Sequence, residues 1–219
     1  MNKNKIVEIV SVLKKETTGF TKPLIQQLNK EFGHNTFIIL IGCLLSLRAR
    51  DTMTIIVSMD LFKRAKTPEE LLKIEINELE QIIKSIGFYK NKAETIQNVS
   101  RELLSRFNGK VPATKDELLS IKGVGLKTAN LVLGLGFGIP AICVDIHVHR
   151  ISNRLGLIKT ETPEQTESEL RRIIPIEFWI LYNELIVMWG QNICQPVSPR
   201  CSTCAISGIC TRSGVKKSR

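Results

Sequence analysis

The sequence has few aromatic residues, no long apolar run and no alternation of apolar and polar residues. Aromatic side chains make up only 5% of its 219 residues, so the core must be built mostly from Leu, Ile and Val. The longest apolar run, Phe37 to Leu47, is too short to cross a bilayer as a helix. The first sixteen residues carry charges among their apolar positions and lack the core of a signal peptide. These absences argue against a membrane or exported protein and predict a cytoplasmic, nucleoid-associated one.

The apolar residues recur at the spacing of an α-helix. Ile6, Ile9, Val10 and Leu13 recur at three- and four-residue steps, as expected for one buried helix face. Helix-start signals combine an N-cap threonine with an acidic or amide residue at the capping-box position. They occur at Thr67, Thr114 and Thr162. The sequence predicts an all-α fold of about ten to twelve short helices, with a polar C-terminus, Gly214 to Arg219, that frays.

The charge is strongly positive, with 31 basic and 21 acidic residues and a formal net charge of +10. A basic protein of this size usually meets a polyanion. Nucleic acid is the first candidate and an anionic membrane surface the second. Because many basic proteins bind no anion specifically, charge alone does not decide between them.

Four cysteines lie within the last part of the chain at spacings of six, two and five intervening residues. They are Cys194, Cys201, Cys204 and Cys210. In a reducing compartment such a group indicates a metal site rather than disulfides. Sulfur ligands suit zinc or an iron–sulfur cluster. Structural zinc sites favour two short Cys-x2-Cys pairs, and only one is present here, so the spacing favours iron–sulfur and leaves zinc as the alternative.

A glycine-rich turn joins two helical patterns in the segment IKGVGLKTAN, residues 121–130. Gly123 and Gly125 allow a sharp turn and a close backbone approach to a ligand. The helix that follows directs its N-terminus outward, which suits a phosphate. This is the helix–hairpin–helix pattern, which holds a DNA backbone without reading sequence. The alternative is an ordinary turn between two helices.

Lys127 and Asp145 are the candidate catalytic residues. Lys127 falls in the first turn of the second hairpin helix, where a cation opposes the helix dipole. It is either a phosphate contact or a nucleophile whose neutral amine attacks a sugar C1′ and forms a Schiff base. Asp145 follows an apolar stretch and precedes a helix that is predicted to end near Leu155. It is an N-cap, and as a carboxylate it could also stabilise a developing sugar cation.

The order of hairpin, lysine, aspartate and cysteine tail closely resembles the endonuclease III family of helix–hairpin–helix DNA glycosylases. The matching segments are GVGLKTAN, VDIHVHR and the four-cysteine tail, whose spacing is that family's [4Fe–4S] pattern. The resemblance implies a two-lobed fold. A six-helix barrel domain would span 29–140, and an iron–sulfur domain would combine 1–28 with 141–219. The lesion pocket would lie between the lobes.

The resemblance also assigns roles to individual residues. Lys127 would displace the damaged base, Asp145 would assist, and the four cysteines would ligate a [4Fe–4S] cluster. The remaining assignments concern DNA: Gly123, Val124 and Gly125 in the phosphate-binding hairpin, Lys122 beside it, Arg200 in the cluster loop, Arg48 and Phe88 at the vacated base position, and Asp51 in the lesion pocket. Asp51 has an N-cap ahead of Thr52 as its alternative role.

Three of these positions depart from the family pattern. Arg48 stands in place of a glutamine, Phe88 in place of a leucine, and Lys122 in place of a proline. An arginine could pair with the orphaned base, so the preferred opposite base is left open. An aromatic wedge should stack at least as well as leucine.

The predicted function is a bifunctional DNA glycosylase/AP lyase that acts as a monomer on double-stranded DNA with an oxidised pyrimidine or an abasic site. It would extrude the nucleotide from the stack and cut the strand by β-elimination. One alternative is a mismatch or uracil glycosylase that retains the lysine. Another is a non-catalytic DNA-binding module with a structural cluster, which would not need Lys127 together with Asp145.

Overall fold

The computed structural model describes residues 3–49 and 51–219, and the described residues form helices and no strand. The all-α prediction is confirmed. The helices are α1 (Lys3–Glu16), α2 (Leu24–Phe32), α3 (Thr36–Ser46), α4 (Asp51–Arg64), α5 (Pro68–Leu72), α6 (Ile76–Ile83), α7 (Tyr89–Phe107), α8 (Lys115–Ser120), α9 (Leu126–Phe137), α10 (Ile146–Arg154), α11 (Pro163–Ile173) and α12 (Trp179–Asn192).

The three predicted N-caps are present. Thr67, Thr114 and Thr162 each accept a hydrogen bond from a backbone N–H three residues further on. Thr162 forms a reciprocal capping box with Gln165. These bonds satisfy amide donors that a helix leaves unpaired at its start. No helix in the described part of the chain is long and apolar enough to span a membrane.

The chain divides into two compact units, which we call the central unit (Pro23–Ile139) and the split unit (Met1–Lys22 with Pro140–Arg219). The central unit contains α2 to α9. Its middle element is α3, in which every residue from Phe37 to Leu45 is buried. A helix that is apolar on all sides must be surrounded by others, and α2, α4, α7 and α9 all pack against it.

The split unit is built around α1, α10 and α12. The periodic face of α1 is buried as predicted, with Ile9 and Leu13 fully inaccessible. It shares one apolar core with residues of α10 and α12, including Tyr182 and Trp189. The Ser152 hydroxyl and the Tyr182 phenol are 2.8 Å apart, so this buried polar pair is satisfied.

The prediction that the C-terminus frays is wrong. The Arg219 N–H donates to the Pro199 carbonyl at 3.0 Å, and the Ser202 N–H donates to the Arg219 carbonyl at 3.2 Å. The Arg219 guanidinium also donates to the Gln195 side chain at 2.8 Å. The polar composition of the segment gave no sign of these contacts, because they join it to a distant loop.

Candidate active site and metal centre

The glycine hairpin is held by two side chains of α7. Arg106 donates to both the carbonyl and the hydroxyl of Ser120, at 3.2 and 2.7 Å, at the end of α8. Glu102 accepts from Arg106 at 2.6 Å and from the Lys122 N–H at 3.1 Å. The Lys122 side chain is left exposed, while Val124 packs inward at 6% exposure. The hairpin is therefore fixed by its contacts with α7, and the Lys122 side chain remains exposed to solvent.

The two hairpin glycines have different structural roles. Gly123 has φ +96°, and a Cβ there would lie 2.7 Å from Thr95 Cγ2. Gly125 is the N-cap of α9 with φ −93°, and a Cβ there would meet no atom within 4 Å. No side chain caps α9 at this end, which leaves the helix start suited to an anion.

The glycine pair allows a matched test. Gly123→Ala should lower the free energy of unfolding by about 1–3 kcal/mol, because it combines left-handed backbone strain with a steric clash. Gly125→Ala should leave stability unchanged but weaken duplex binding, because its methyl group stands where a phosphate would approach. Urea unfolding and DNA titration check the two effects. Equal DNA affinity of Gly125→Ala and wild type would contradict a backbone contact at Gly125.

Lys127 lies half-buried in the first turn of α9, which packs against α3. It is close enough to Cys43 of α3 to lower that thiol's pKa, but burial dominates and raises the Cys43 pKa to about 12. Cys43 is therefore a neutral thiol at neutral pH.

Arg48 and Phe88 are the exposed tips of two loops of the central unit. Arg48 follows α3 with φ +52°, and Phe88 precedes α7 with φ +59° and an exposed fraction of 63%. Both lie in the left-handed region, which residues other than glycine rarely adopt. A Cβ on Gly87 would be 3.7 Å from the Arg48 carbonyl oxygen, so the two loops run side by side.

A buried lysine, which the sequence patterns did not single out, lies behind these loops. The Lys92 Nζ donates to the Leu45 carbonyl at 2.8 Å, and burial lowers the pKa of its amine to about 8. A cation is rarely placed at a buried position unless it has a specific partner.

The Lys92 pKa predicts a pH dependence of stability. Between about pH 8 and pH 10.5 the unfolded chain holds more protons at this residue than the folded chain, so folding becomes more favourable as pH rises. The free energy of unfolding of wild type should therefore rise relative to Lys92→Met between pH 7.5 and pH 10. Urea unfolding of both proteins at the two pH values measures it. A difference that does not change with pH would contradict the lowered pKa.

Asp51 is the first residue of α4 rather than the residue before it. The two roles considered for Asp51, in the lesion pocket and as an N-cap ahead of Thr52, both stay predictions. Its carboxylate falls in the first turn of a helix, a favourable place for a negative charge. Arg50, the residue before it, lies outside the described residues.

Asp145 is the N-cap of α10 in the split unit, as predicted. Its Oδ1 accepts from the N–H groups of His147 and Val148, at 2.9 and 2.8 Å. The second carboxylate oxygen is not needed for these bonds. Capping fixes the orientation of the carboxylate.

The four cysteines of the tail line one cavity of the split unit, together with Arg154, Trp189 and Arg200. Each is partly buried. Burial raises the pKa of Cys204 and Cys210, and each of these thiols interacts electrostatically with Cys194. Among the described residues, no three side chains of the metal-binding types are grouped as ligands of a single ion.

The donors around this cavity fit a sulfur-rich group. Arg154 donates to the Cys194 Sγ at 3.5 Å, and the Arg212 N–H donates to the Cys210 Sγ at 3.4 Å. The Trp189 Nε1 is buried without a partner of normal hydrogen-bond geometry in the described structure. Its N–H nevertheless lies close enough to Cys204 to lower that thiol's pKa. N–H donors directed at sulfur are typical of cluster environments.

Two of these residues were missed or misjudged from the sequence. Trp189 was interpreted as core packing because its helix is apolar, and its ring is indeed buried. Only the structure places its N–H in the cysteine cavity. Arg154 had no sequence signal, because its partners are backbone carbonyls and a sulfur some forty positions away.

Comparison with known proteins identifies the family. Residues 41–175 match the HhH-GPD superfamily of base excision DNA repair proteins. Endonuclease III of Thermotoga maritima is 44% identical over 192 residues, covering 85% of this chain and 90% of that protein.

Two solved structures share the fold. One is a non-covalent endonuclease III–DNA complex (TM-score 0.85, 35% identity, 97% of this chain and 96% of that chain). The other is a trapped endonuclease III–DNA covalent intermediate (TM-score 0.85, 35% identity, 97% of both chains). The chain belongs to the endonuclease III family of the HhH-GPD superfamily.

Proposed function

We propose that Lys127 and Asp145 carry out the chemistry of this protein, which is a bifunctional DNA glycosylase/AP lyase of base excision repair acting on oxidised pyrimidines. The observation that supports this assignment is the local environment of each residue. A half-buried lysine stands at an uncapped helix start beside a neutral thiol, and an aspartate is oriented by two amides of its own helix.

The neutral Lys127 amine attacks C1′ of the damaged nucleotide. The bond between C1′ and the base breaks, and its electron pair leaves with the base, which takes up a proton. Opening of the sugar ring and loss of a proton from nitrogen give a Schiff base between Nζ and C1′. Loss of a C2′ proton then expels the 3′ phosphate in a β-elimination. Water finally hydrolyses the Schiff base and frees Lys127.

The Asp145 carboxylate stabilises the positive charge that develops on the sugar as the base departs. The two amide hydrogen bonds to this carboxylate within the described residues both go to Oδ1, so Oδ2 would face the substrate.

DNA binding would use the hairpin and the two loop tips. The start of α9 and the exposed Lys122 contact phosphates of the damaged strand, without reading sequence. Arg48 and Phe88 enter the space that the extruded nucleotide leaves. The endonuclease III structures that this chain resembles are complexes with DNA.

A [4Fe–4S] cluster held by Cys194, Cys201, Cys204 and Cys210 would be the cofactor. The shared cavity and the N–H donors around it support this choice of group. When bound, the cluster would cross-link the four thiolates and stiffen the loop that carries Arg200. A single zinc ion is the alternative.

Borohydride trapping tests the proposal. The purified protein is mixed with duplex DNA that contains thymine glycol or an abasic site, reduced, and run on a denaturing gel. A covalent adduct with both substrates is expected, because borohydride reduces the Schiff base to a stable amine. Strand cleavage without an adduct would overturn the lysine mechanism. Visible absorbance of the purified protein distinguishes an iron–sulfur cluster from zinc, which is colourless.

A further inference from the structure

Lys92 occupies an unfavourable position that the chemistry above does not explain. It is buried, with 8% of its surface exposed, in the first turn of α7. Lysine is among the residues least often buried, and an ammonium in a first turn opposes the helix dipole. A side chain kept in such a place is expected to make a contact that a smaller or neutral residue cannot make.

That contact joins two segments that are distant in the chain. The Lys92 Nζ donates to the carbonyl of Leu45 at 2.8 Å. Leu45 lies in the last turn of α3, where carbonyls have no partner within the helix and a cation is favourable. The backbone N–H of Lys92 donates to the carbonyl of Phe88 at 3.0 Å. The second bond is the ordinary hydrogen bond of a helix's first turn, so the Lys92 side chain contributes the link between the start of α7 and the end of α3.

These two helix ends support Arg48 and Phe88. Arg48 lies three residues beyond the bonded Leu45, and Phe88 is bonded to Lys92 directly. Both tips adopt left-handed backbone angles and are exposed. Such a conformation persists in an L residue only when its surroundings fix it. The close approach of Gly87 to the Arg48 carbonyl shows that the tips are adjacent.

We propose that Lys92 is a positioning residue that sets the spacing of Arg48 and Phe88 as they enter the duplex. The inference rests on the proposed function. It adds to that function a source of selectivity for the opposite base. This source is the distance between Arg48 and Phe88, which the buried Lys92 holds fixed. Lys92 itself does not touch the substrate.

Lys92→Met tests this role, because methionine fills a similar volume without the ammonium. The variant is assayed on duplexes with thymine glycol opposite each of the four bases, and on single-stranded DNA with an abasic site. Duplex excision should fall by about 10²-fold, the scale expected when a reacting group is misplaced by about 1 Å. The differences among opposite bases should shrink. Cleavage of the single strand, which has no opposite base, should stay within about twofold of wild type.

The matched control is Lys90→Met, which removes the same charge from an exposed position two residues earlier on α7. It should keep the wild-type order of opposite bases. A second variant, Gly87→Val, adds two γ-methyl groups beyond a Cβ that would already contact the Arg48 carbonyl oxygen at 3.7 Å. It should shift the two loops while leaving the Lys92 ammonium in place, and it should reproduce the Lys92→Met pattern. It also serves as the test if Lys92→Met does not fold.

The outcomes distinguish failure of the proposed function from failure of the positioning role of Lys92. If wild type cleaves neither substrate and gives no adduct, the proposed function fails, and the positioning role fails with it. If wild type is active and the folded variants keep its duplex rate and opposite-base preference, only the positioning role is overturned. An equal loss on single-stranded and duplex DNA would also overturn it, because a merely structural residue would have that effect.

Discussion

Lys127→Gln is expected to abolish borohydride trapping and to lower strand cleavage by about 10³-fold or more, because an amide nitrogen has no lone pair free to attack C1′. Glutamine is close to lysine in size, so α9 and its packing on α3 should be retained. The measurement is the trapped fraction on abasic duplex DNA at saturating protein, together with the single-turnover rate of cleavage.

Lys122→Gln provides the matched control for this loss of charge. Lys122 is exposed on the same hairpin, and its own side chain is not needed for the bond between its amide and Glu102. The variant should bind duplex DNA more weakly and with a smaller salt dependence. At saturating DNA it should still be trapped. Trapping by Lys127→Gln at the wild-type level would show that another amine is the nucleophile.

Asp145→Asn is expected to bind DNA normally but to excise the base about 10²-fold more slowly. Asparagine is as good an N-cap as aspartate, so it can accept the two amide hydrogen bonds and leave α10 intact. It lacks the negative charge that would stabilise the sugar cation, and removal of one such group typically costs about 10²–10³ in rate. Single-turnover excision of thymine glycol measures the change.

A second substitution at this position separates capping from chemistry. Asp145→Ala loses the cap as well as the charge, so its free energy of unfolding should fall by about 1 kcal/mol relative to Asp145→Asn. Both variants should be equally slow once they are folded. If Asp145→Asn excised the base at the wild-type rate, Asp145 would be only a helix cap and would have no role in the chemistry.

The positions of the local elements could be predicted from the sequence. The glycine-rich turn predicted within residues 121–130 lies between α8 (Lys115–Ser120) and α9 (Leu126–Phe137). The helix after Asp145 was expected to run to about Leu155 and is Ile146–Arg154. Such boundaries depend on glycine turns and side-chain caps within a few residues, and these are visible in the sequence itself.

The partners of buried polar groups could not be predicted in the same way. Lys92 looked like any helix-surface lysine, and its acceptor is a main-chain carbonyl 47 residues away. The Trp189 N–H and the Arg154 guanidinium were hidden for the same reason, because a carbonyl or a sulfur accepts from whichever donor the fold brings to it. The roles of Lys127 and Asp145 as a catalytic pair stay a prediction.

The sequence alone determined the family, the helical class and the capped helix starts, because each depends on residue type and short-range spacing. Tertiary structure decided which cavity the four cysteines share, how the C-terminal residues fold back onto their loop, and what supports Arg48 and Phe88. These features are contacts between segments far apart in the chain. Their free energy comes from burial and pairing, which exist only once the helices have packed.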